Sequence, residues 1–445
     1  MPFVVRRLLT GCIFIFFLLA ADQFVPAQPA PAQAQADAAQ PKSEQAYSLP
    51  PDKLEKAKAL NKIRLALDIG GSLWGLIFLW WLLASRNAAR LEHWTQRRST
   101  RRWVQGLLFF VAFLVITAVA SLPLDMIGHV ASRKYGISIQ GWGSWFGDQG
   151  KGLALSLVGA LVLLLFNWIV RRWPRNYWFG VWLAMLPLMV IVTVVSPLVE
   201  PLFNQYEPLK TNHADLVDKL EKVVARTGTD IPPDRMFLMK ASLKTNGLNA
   251  YVSGMGPTKR IVVWDTTAGR IPDDEVMLVF GHESGHYVLH HIVKGLAISA
   301  VVFFFVFWAC ARLAEWIVRQ FGARWGMEPQ ENVPLLATRS GFLILILVVS
   351  VVSFLGDPVS NTVSRYFEHQ ADVYGQEAVH GLVADPQKTA VSGFNHLGEA
   401  WLEDPEPNPF IEFWLYNHPS VQNRANFAAH YDPWASGGHG EFFKD

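Results

Sequence analysis

Two histidines one helical turn apart, with a glutamate beside the first, occur in the segment His282–His286, which reads HESGH. Residues i and i+4 lie on one face of a helix, so both imidazoles can bind the same Zn²⁺ ion. The carboxylate of Glu283 is then placed as a general base toward an activated water molecule. The spacing predicts the centre of a metal-dependent hydrolase, with His282 and His286 as ligands.

A catalytic zinc ion has three protein ligands, and a third candidate lies downstream. Glu368 and Asp372 are four residues apart and share one helix face. We expect Glu368 to bind the metal and Asp372 to accept the N–H of a ligating histidine. His290 is the rival ligand, but eight residues from His282 correspond to about 12 Å along a helix. Three further histidines are interpreted as neighbours of the site or solvent-facing groups: His290, His291 and His369.

The composition is that of a membrane protein, with 51% hydrophobic, 13% aromatic and only 17% charged residues. The net charge of +2 points to no particular partner, and no basic patch indicates nucleic-acid binding. Two cysteines inside apolar runs exclude a disulfide framework. Seven apolar runs, most of them near the roughly 20 residues that cross a bilayer, are candidate spans: Leu8–Ala21, Gly70–Ser85, Val104–Leu122, Leu153–Val170, Tyr177–Val199, Leu296–Ile317 and Gly341–Leu355.

The first apolar run has the features of a signal peptide. Arg6 and Arg7 precede it, and a Pro/Ala/Gln-rich stretch follows as far as Gln40. An uncleaved signal anchor is the alternative, and it would be the first of seven spans. The expected organisation is therefore a signal or anchor with its linker in 1–40, transmembrane helices in 41–199, a first catalytic segment in 200–294, two transmembrane helices in 295–356 and a second catalytic segment in 357–445.

Arginine placement predicts the orientation in the membrane, because short cytoplasmic loops carry an excess of positive charge. Clusters of arginine follow the second, fourth and sixth apolar runs. If these clusters are cytoplasmic, segments 200–294 and 357–445 meet on the opposite side, as a shared metal site requires. We expect an inner-membrane protein of a bacterium with an extracytoplasmic catalytic side. The cluster members are Arg86, Arg90, Arg97, Arg98, Arg101, Arg102, Arg171, Arg172, Arg175, Arg312, Arg319 and Arg324.

Local patterns predict the elements that position these residues. Short apolar runs punctuated by glycine and proline between Asn204 and Thr267 indicate a small β-meander. Helical patterns flank it at Asp215–Arg226 and at Asp273–His291, the second beginning after a proline with acidic residues in its first turn. A further helix is expected within Asp385–Asp404.

Several separate motifs resemble those of the CAAX prenyl protease type 1 family of membrane-embedded zinc endopeptidases. The family pattern places HExxH before NxxSRxxExxAD. The matching positions are His282, Glu283, His286, Asn361, Ser364, Arg365, Glu368, Ala371 and Asp372, with Pro201–Asn204, Asn249–Tyr251, His418–Pro419 and Arg424 as further matches. The resemblance implies a predominantly α-helical membrane fold, in which six or seven transmembrane helices form a barrel around a chamber. A gluzincin-like α+β zinc-peptidase domain accompanies it.

The resemblance also implies roles for individual residues. Asn249, Ala250 and Tyr251 would form an edge strand that binds a peptide by β-addition. His418 would stabilise the oxyanion and Arg424 would contact the substrate. Asp372, Asn361 and Arg365 would support the ligands of one Zn²⁺ per chain.

The expected activity is hydrolysis of peptide bonds in a peptide or protein substrate, possibly lipidated, at the lipid bilayer. Family members process prenylated C-termini that arrive from the cytoplasm, whereas the charge pattern of this chain places the catalytic side outside. The resemblance therefore predicts the peptidase chemistry and leaves the substrate open. A broad-specificity quality-control protease is the first alternative, and a non-catalytic membrane chaperone or scaffold is the second.

Overall fold

The structure is a computed structural model that describes residues 46–330, 333–435 and 437–444. The expected signal peptide at Leu8–Ala21 lies outside the described residues. The helices, numbered in chain order, are α1 (Pro51–Ala84), α2 (Asn87–Arg98), α3 (Arg102–Lys134), α4 (Trp142–Arg172), α5 (Tyr177–Val199), α6 (Ala214–Thr227), α7 (Asp273–Val288), α8 (His291–Phe321), α9 (Arg339–Ala378), α10 (Pro386–Trp401), α11 (Pro409–Leu415) and α12 (Val421–His430). The strands are β1 (Tyr206–Pro208), β2 (Met236–Met239), β3 (Ala250–Ser253) and β4 (Arg260–Trp264).

Within the described residues, six helices are long and apolar enough to cross a membrane: α1, α3, α4, α5, α8 and α9. Each overlaps one of the predicted apolar runs almost completely or completely, so the expected predominantly helical membrane fold is confirmed. Helix α9 has 40 residues and is about 60 Å long, twice the roughly 30 Å of a hydrocarbon core. Its apolar first half can therefore cross the membrane while its second half extends beyond it and carries Glu368.

Aromatic packing joins the membrane helices to one another. Phe110 of α3 and Phe342 of α9 are buried and meet edge to face, with ring centroids 5.6 Å apart. Trp182 of α5 donates its indole N–H to the carbonyl of Ala300 in α8 at 2.8 Å. Large apolar side chains on the outer faces, such as Leu198, remain exposed, as expected for surfaces that contact lipid.

The small sheet has the strand order β1-β2-β4-β3, so the predicted meander is wrong. Strands β2 and β4 pair in parallel, and β3 pairs antiparallel to β4 at the outer edge. A meander would place β3 between its chain neighbours β2 and β4. Here β4 occupies that position, and its buried residues Ile261 and Val263 belong to the same apolar core as residues of α6 and α7. This topology leaves β3 as an edge strand beside α7.

Two predicted helices end earlier than expected. Helix α7 stops at Val288 instead of His291, because His290 adopts a left-handed conformation (φ 57°) and a new helix begins at His291. Helix α10 stops at Trp401 instead of Asp404, because Leu402 is also left-handed (φ 50°). Non-glycine residues rarely adopt this conformation. Each break redirects the next side chain toward the region of the HESGH segment.

Candidate active site

Glycines allow α7 and α9 to pack closely enough to bring the candidate ligands together. A Cβ atom at Gly375 would lie 2.7 Å from the backbone nitrogen of His282. One at Gly285 would lie 3.0 Å from the Cβ of Tyr374, and one at Gly281 would lie 3.1 Å from the carbonyl of Gly375. Larger residues would separate the two helices, so these glycines determine the distance between the HESGH segment and the acidic face of α9.

The three predicted metal ligands converge at this helix contact. The Nε2 atoms of His282 and His286 are 3.2 Å apart. The Glu368 carboxylate places one oxygen 3.2 Å from the first of these nitrogens and the other 3.4 Å from the second. Candidate ligand atoms from all three residues lie within 4.8 Å of one another, close enough to bind a single ion.

Hydrogen-bond partners define which nitrogen of His282 carries the proton. Its Nδ1 lies 2.9 Å from Oδ1 of Asp372, and a carboxylate can only accept. The proton therefore belongs on Nδ1, which leaves the lone pair of Nε2 directed at the cluster. The expectation that Asp372 contacts a candidate ligand histidine agrees with this geometry.

A second chain of hydrogen bonds defines the tautomer of His286. The side-chain oxygen of Gln370 lies 3.2 Å from Nε2 of His291, which must donate. Nδ1 of His291 then accepts from Nδ1 of His286 at 3.1 Å. The lone pair of His286 Nε2 consequently also points into the cluster. The sequence had given His291 as a neighbour of the site or a solvent-facing group, and it had not singled out Gln370. The contact between His291 and His286 was not expected, because five residues along an unbroken helix would have turned His291 away from His286.

The cluster has the donor set and the electrostatics of a zinc site. Two imidazole lone pairs and a carboxylate face one another, and Oε2 of Glu368 is buried without a hydrogen-bond donor among the described residues. Burial lowers the pKa of His286 to about 3 despite the nearby Glu368, so its lone pair stays available. Burial also acts to lower the pKa of His282, but the carboxylates of Asp372 and Glu368 outweigh it and raise that pKa to about 9. A metal ion would therefore displace the Nε2 proton of His282 to reach that lone pair, and this ligand set is that of catalytic zinc.

Glu283, the predicted general base, lies beside the edge strand. Its carboxylate accepts the backbone N–H of Val252 in β3 at 3.5 Å. Burial raises the pKa of Glu283 to about 7, with the charge of His282 acting in the opposite direction. A carboxylate with a pKa near neutrality is well matched to accepting and returning a proton.

The predicted substrate strand divides into a cleft-lining part and an anchoring part. Asn249 and Ala250 line the cleft that contains His282 and Glu283. The Tyr251 side chain is buried on the opposite side and donates its hydroxyl to Glu200 at 3.1 Å. Tyr251 could therefore contribute to substrate binding only through its backbone.

Glu200 is a structural feature that the sequence did not reveal. Its fully buried carboxylate accepts from Arg260 at 2.6 Å and from a group of three hydroxyls, all at 3.1 Å. The hydroxyl donors are Tyr206, Tyr251 and Ser253. This cluster fastens strands β1, β3 and β4 to the end of membrane helix α5. The only sequence signal was an acidic residue at the end of an apolar run.

His418 and Arg424 both reach the cluster. Nε2 of His418 lies 3.3 Å from Oε1 of Glu368, and burial lowers the pKa of this histidine. Arg424 forms a bidentate pair with Asp372, at 2.9 and 2.5 Å, and one of its nitrogens is 3.4 Å from Nδ1 of His282. The guanidinium therefore supports the Asp372–His282 contact and also lines the cleft.

Asn361 and Arg365 bind backbone carbonyls near the end of α11. Asn361 donates to the carbonyl of Trp414 at 2.7 Å. Arg365 donates to the carbonyls of Phe413 and Tyr416, at 3.1 and 3.0 Å. Both side chains thus anchor the end of α11, which leads directly to His418, and among the described residues they donate no hydrogen bond to the candidate ligands.

Comparisons with known proteins agree with this architecture. A family model described as peptidase family M48 matches residues 210–432, and one for the CAAX prenyl protease N-terminal region of five membrane helices matches 33–205. The chain is 32% identical to the uncharacterized metalloprotease YhfN of Bacillus subtilis, over 93% of this chain and 92% of that protein. It is 25% identical to CAAX prenyl protease 1 of Saccharomyces cerevisiae, over 72% and 71% of the two chains. The crystal structure of S. mikatae Ste24p superposes with a TM-score of 0.74 at 20% identity, covering 97% of this chain and all of that one.

Proposed function

The chain belongs to peptidase family M48, and from that premise we propose that it is a Zn²⁺-dependent endopeptidase of a bacterial inner membrane with its active site outside the cytoplasm. The family assignment makes it a membrane metalloprotease. The observation that carries the specific proposal is the convergence of His282, His286 and Glu368 on one point beside Glu283 and an edge strand.

In the proposed mechanism His282, His286 and Glu368 hold the zinc ion. When bound, zinc would act as a Lewis acid that polarises the scissile carbonyl and activates water. The carboxylate of Glu283 would accept the proton of the attacking water and then deliver it to the leaving amine nitrogen.

The neighbouring residues would orient these groups. Asp372, held by Arg424, keeps the proton of His282 on Nδ1, and the His291–Gln370 pair does the same for His286. His418 would help to stabilise the oxyanion as it forms. An extended peptide would pair with β3 through its backbone, which leaves the choice of substrate to the side-chain pockets.

The decisive experiment compares the wild type with Glu283→Gln on internally quenched peptides, with zinc content measured for both. We expect turnover only in the wild type and equal zinc in the two proteins, because Glu283 is not a ligand. Full activity in the variant would refute the mechanism. Zinc in both proteins with turnover in neither would favour the non-catalytic scaffold.

Contacts between the arginine clusters support the proposed orientation. Arg86 donates to the carbonyl of Arg324 at 3.1 Å, and Arg339 donates to the carbonyl of Arg102 at 3.0 Å. The arginine clusters that follow α1 and α8 thus meet at the same end of the membrane helices. The contact between Arg339 and Arg102 brings the start of α9 to the arginine-rich start of α3. The candidate site occupies the opposite ends of α8 and α9. A periplasmic-type reporter fused to the C-terminus should be active, and a cytoplasmic C-terminus would contradict this topology.

The position of β3 at the edge of the sheet also favours a second candidate, a quality-control protease that accepts many membrane or exported proteins. Selective cleavage of prenylated peptides over unmodified ones of the same sequence would count against it. Cleavage of unfolded model proteins at many sites would favour it.

A further inference from the structure

A second glutamate, Glu403, lines the same cleft as His282 and Glu283. Glu403 is buried, with only 6% of the residue exposed. The cleft extends from the candidate metal ligands between α7 and α10, and its volume including the open mouth is about 950 Å³. Glu403 therefore adds a buried acidic group to a cavity that a substrate side chain beside the reacting carbonyl could enter.

The backbone holds Glu403 in this position. The left-handed residue Leu402 ends α10, and the N–H of Glu403 then donates to the carbonyl of Gly398 at 2.8 Å. The buried hydroxyl of Tyr47 donates to the Glu403 carbonyl at 3.0 Å. Left-handed conformations at non-glycine residues cost free energy and often occur at functional sites.

The Glu403 carboxylate has no hydrogen bond or ion pair with any residue in the described part of the chain. Burial raises the pKa of Glu403 to about 7, while Arg64 acts in the opposite direction and Asp404 adds to the increase. The Arg64 guanidinium donates to the Trp401 carbonyl at 3.0 Å, and Arg64 is not among the cleft-lining residues. A buried carboxylate without a partner destabilises the fold, so a cationic group supplied by a ligand would relieve the cost.

Apolar side chains also line the cleft that contains Glu403. They include Leu278 of α7, Leu397 and Trp401. Trp401 is fixed by an indole hydrogen bond to the Leu248 carbonyl at 2.9 Å. It also covers Gly247, where a Cβ atom would lie 2.3 Å from the ring. A cleft that combines apolar side chains with a carboxylate suits a long aliphatic side chain with a positive tip.

We propose that Glu403 makes the peptidase selective for lysine or arginine at the substrate position whose side chain enters this cleft, next to the scissile bond. The aliphatic stem packs against Leu397 and Trp401, and the ammonium or guanidinium group pairs with the carboxylate. This inference rests on the proposed peptidase function and specifies its substrate class. Backbone pairing with β3 would tolerate many sequences, and Glu403 would supply the discrimination.

The test uses the full-length purified protein and a quenched peptide library randomised on both sides of the scissile bond, with cleavage sites mapped by mass spectrometry. We expect enrichment of lysine and arginine at one flanking position. For matched peptides with lysine or norleucine there, Glu403→Gln should lower the lysine-to-norleucine ratio of kcat/KM at least about ten-fold. Glu403→Lys should invert the preference toward acidic residues.

Asp404→Asn is the matched control. It removes the same charge from the adjacent residue, which hydrogen-bonds to Asn61 and is not among the cleft-lining residues. The control should keep the wild-type ratio, and the zinc content of every variant reports on folding. A wild type that cleaves without basic preference, or a Glu403→Gln variant with an unchanged ratio, would overturn the inference alone. A zinc-loaded wild type that cleaves no peptide would instead overturn the proposed function together with it.

Discussion

Glu200 and Glu403 are both buried glutamates near the edge strand, but their surroundings differ completely. Glu200 is fully buried and accepts from a guanidinium and three hydroxyls. Glu403 is 6% exposed and has no hydrogen bond or ion pair with a described residue. The first carboxylate is satisfied by the protein and serves the architecture, whereas the second is left for something outside the chain. Burial alone therefore does not distinguish a structural carboxylate from a ligand-binding one. The hydrogen-bond and ion-pair partners of each carboxylate make that distinction.

One oxygen of the Glu368 carboxylate, Oε2, also lacks a hydrogen-bond donor among the described residues, and replacing Glu368 should have the largest effect. Its carboxylate faces two imidazole lone pairs, so Glu368→Ala removes one of three donors to the ion. We expect loss of zinc from the purified protein and of all peptidase activity. Elemental analysis measures the first effect, and Glu283→Gln is the control that should keep its zinc. Stoichiometric zinc in Glu368→Ala would remove this glutamate from the ligand set.

Replacing Glu200 should destabilise the fold. Glu200→Gln leaves Arg260, whose side chain is only 16% exposed, without its counter-charge. Removing one partner of a buried pair costs about 3 kcal/mol or more, so thermal unfolding should begin at a lower temperature. Glu207→Gln, which breaks the more exposed pair with Lys240, should cost less than about 1 kcal/mol. Equal effects of the two substitutions would remove the distinction drawn for Glu200.

The corresponding change at Glu403 should have the opposite sign and depend on pH. The pKa of Glu403 is about 7 in the folded protein, against an ordinary value of 4.5 that applies to the unfolded chain. Below pH 4.5 the carboxyl is protonated in the folded and the unfolded protein, so its burial carries no charge-related cost. The cost grows as pH rises and is complete above pH 7, where it reaches about 3 kcal/mol. Glu403→Gln should therefore be more stable than the wild type at pH 8, with the difference vanishing toward pH 4.5. A difference in unfolding temperature between Glu403→Gln and the wild type that is the same at every pH would contradict this assignment.

The smallest effect is expected at the hydrogen-bond chain behind His286. His291→Phe keeps the stacking on Phe367 but removes the acceptor that holds the His286 proton on Nδ1. Such outer partners change metal affinity by about 10- to 100-fold, which chelator competition can measure. His369→Phe, an exposed position one residue before Gln370, should leave the affinity unchanged. An identical zinc affinity in both variants would mean that the tautomer of His286 is set by other contacts.

Much of the fold and the site could be predicted from local patterns. Strands β2 and β4 lie in the stretch between Asn204 and Thr267 where short apolar runs indicated strands, and α6 extends the predicted helix by one residue at each end. The convergence of His282, His286 and Glu368 followed from two i, i+4 spacings and the topology of two intervening spans. These features depend on helix periodicity and hydrophobic run length, which are properties of contiguous residues.

The errors lie where one left-handed residue or one distant partner decides the outcome. The break at His290 brought His291 against His286, and the break at Leu402 placed Glu403 in the cleft. The parallel pairing of β2 with β4 depends on contacts between strands that are distant in sequence. No local pattern encodes these events, because their free energy comes from packing against other elements.

The sequence by itself determined the chemistry: the ligand types, their spacing and the apolar runs dictate a metal-binding membrane protein whatever the details of packing. The tertiary structure alone decided which polar groups are satisfied. Glu200 and Glu403 are indistinguishable as sequence, and only the arrangement of Arg260 and three hydroxyls around the first separates them. The physical reason is that the cost of burying a carboxylate depends on partners within a few ångströms, and folding brings those partners from remote parts of the chain.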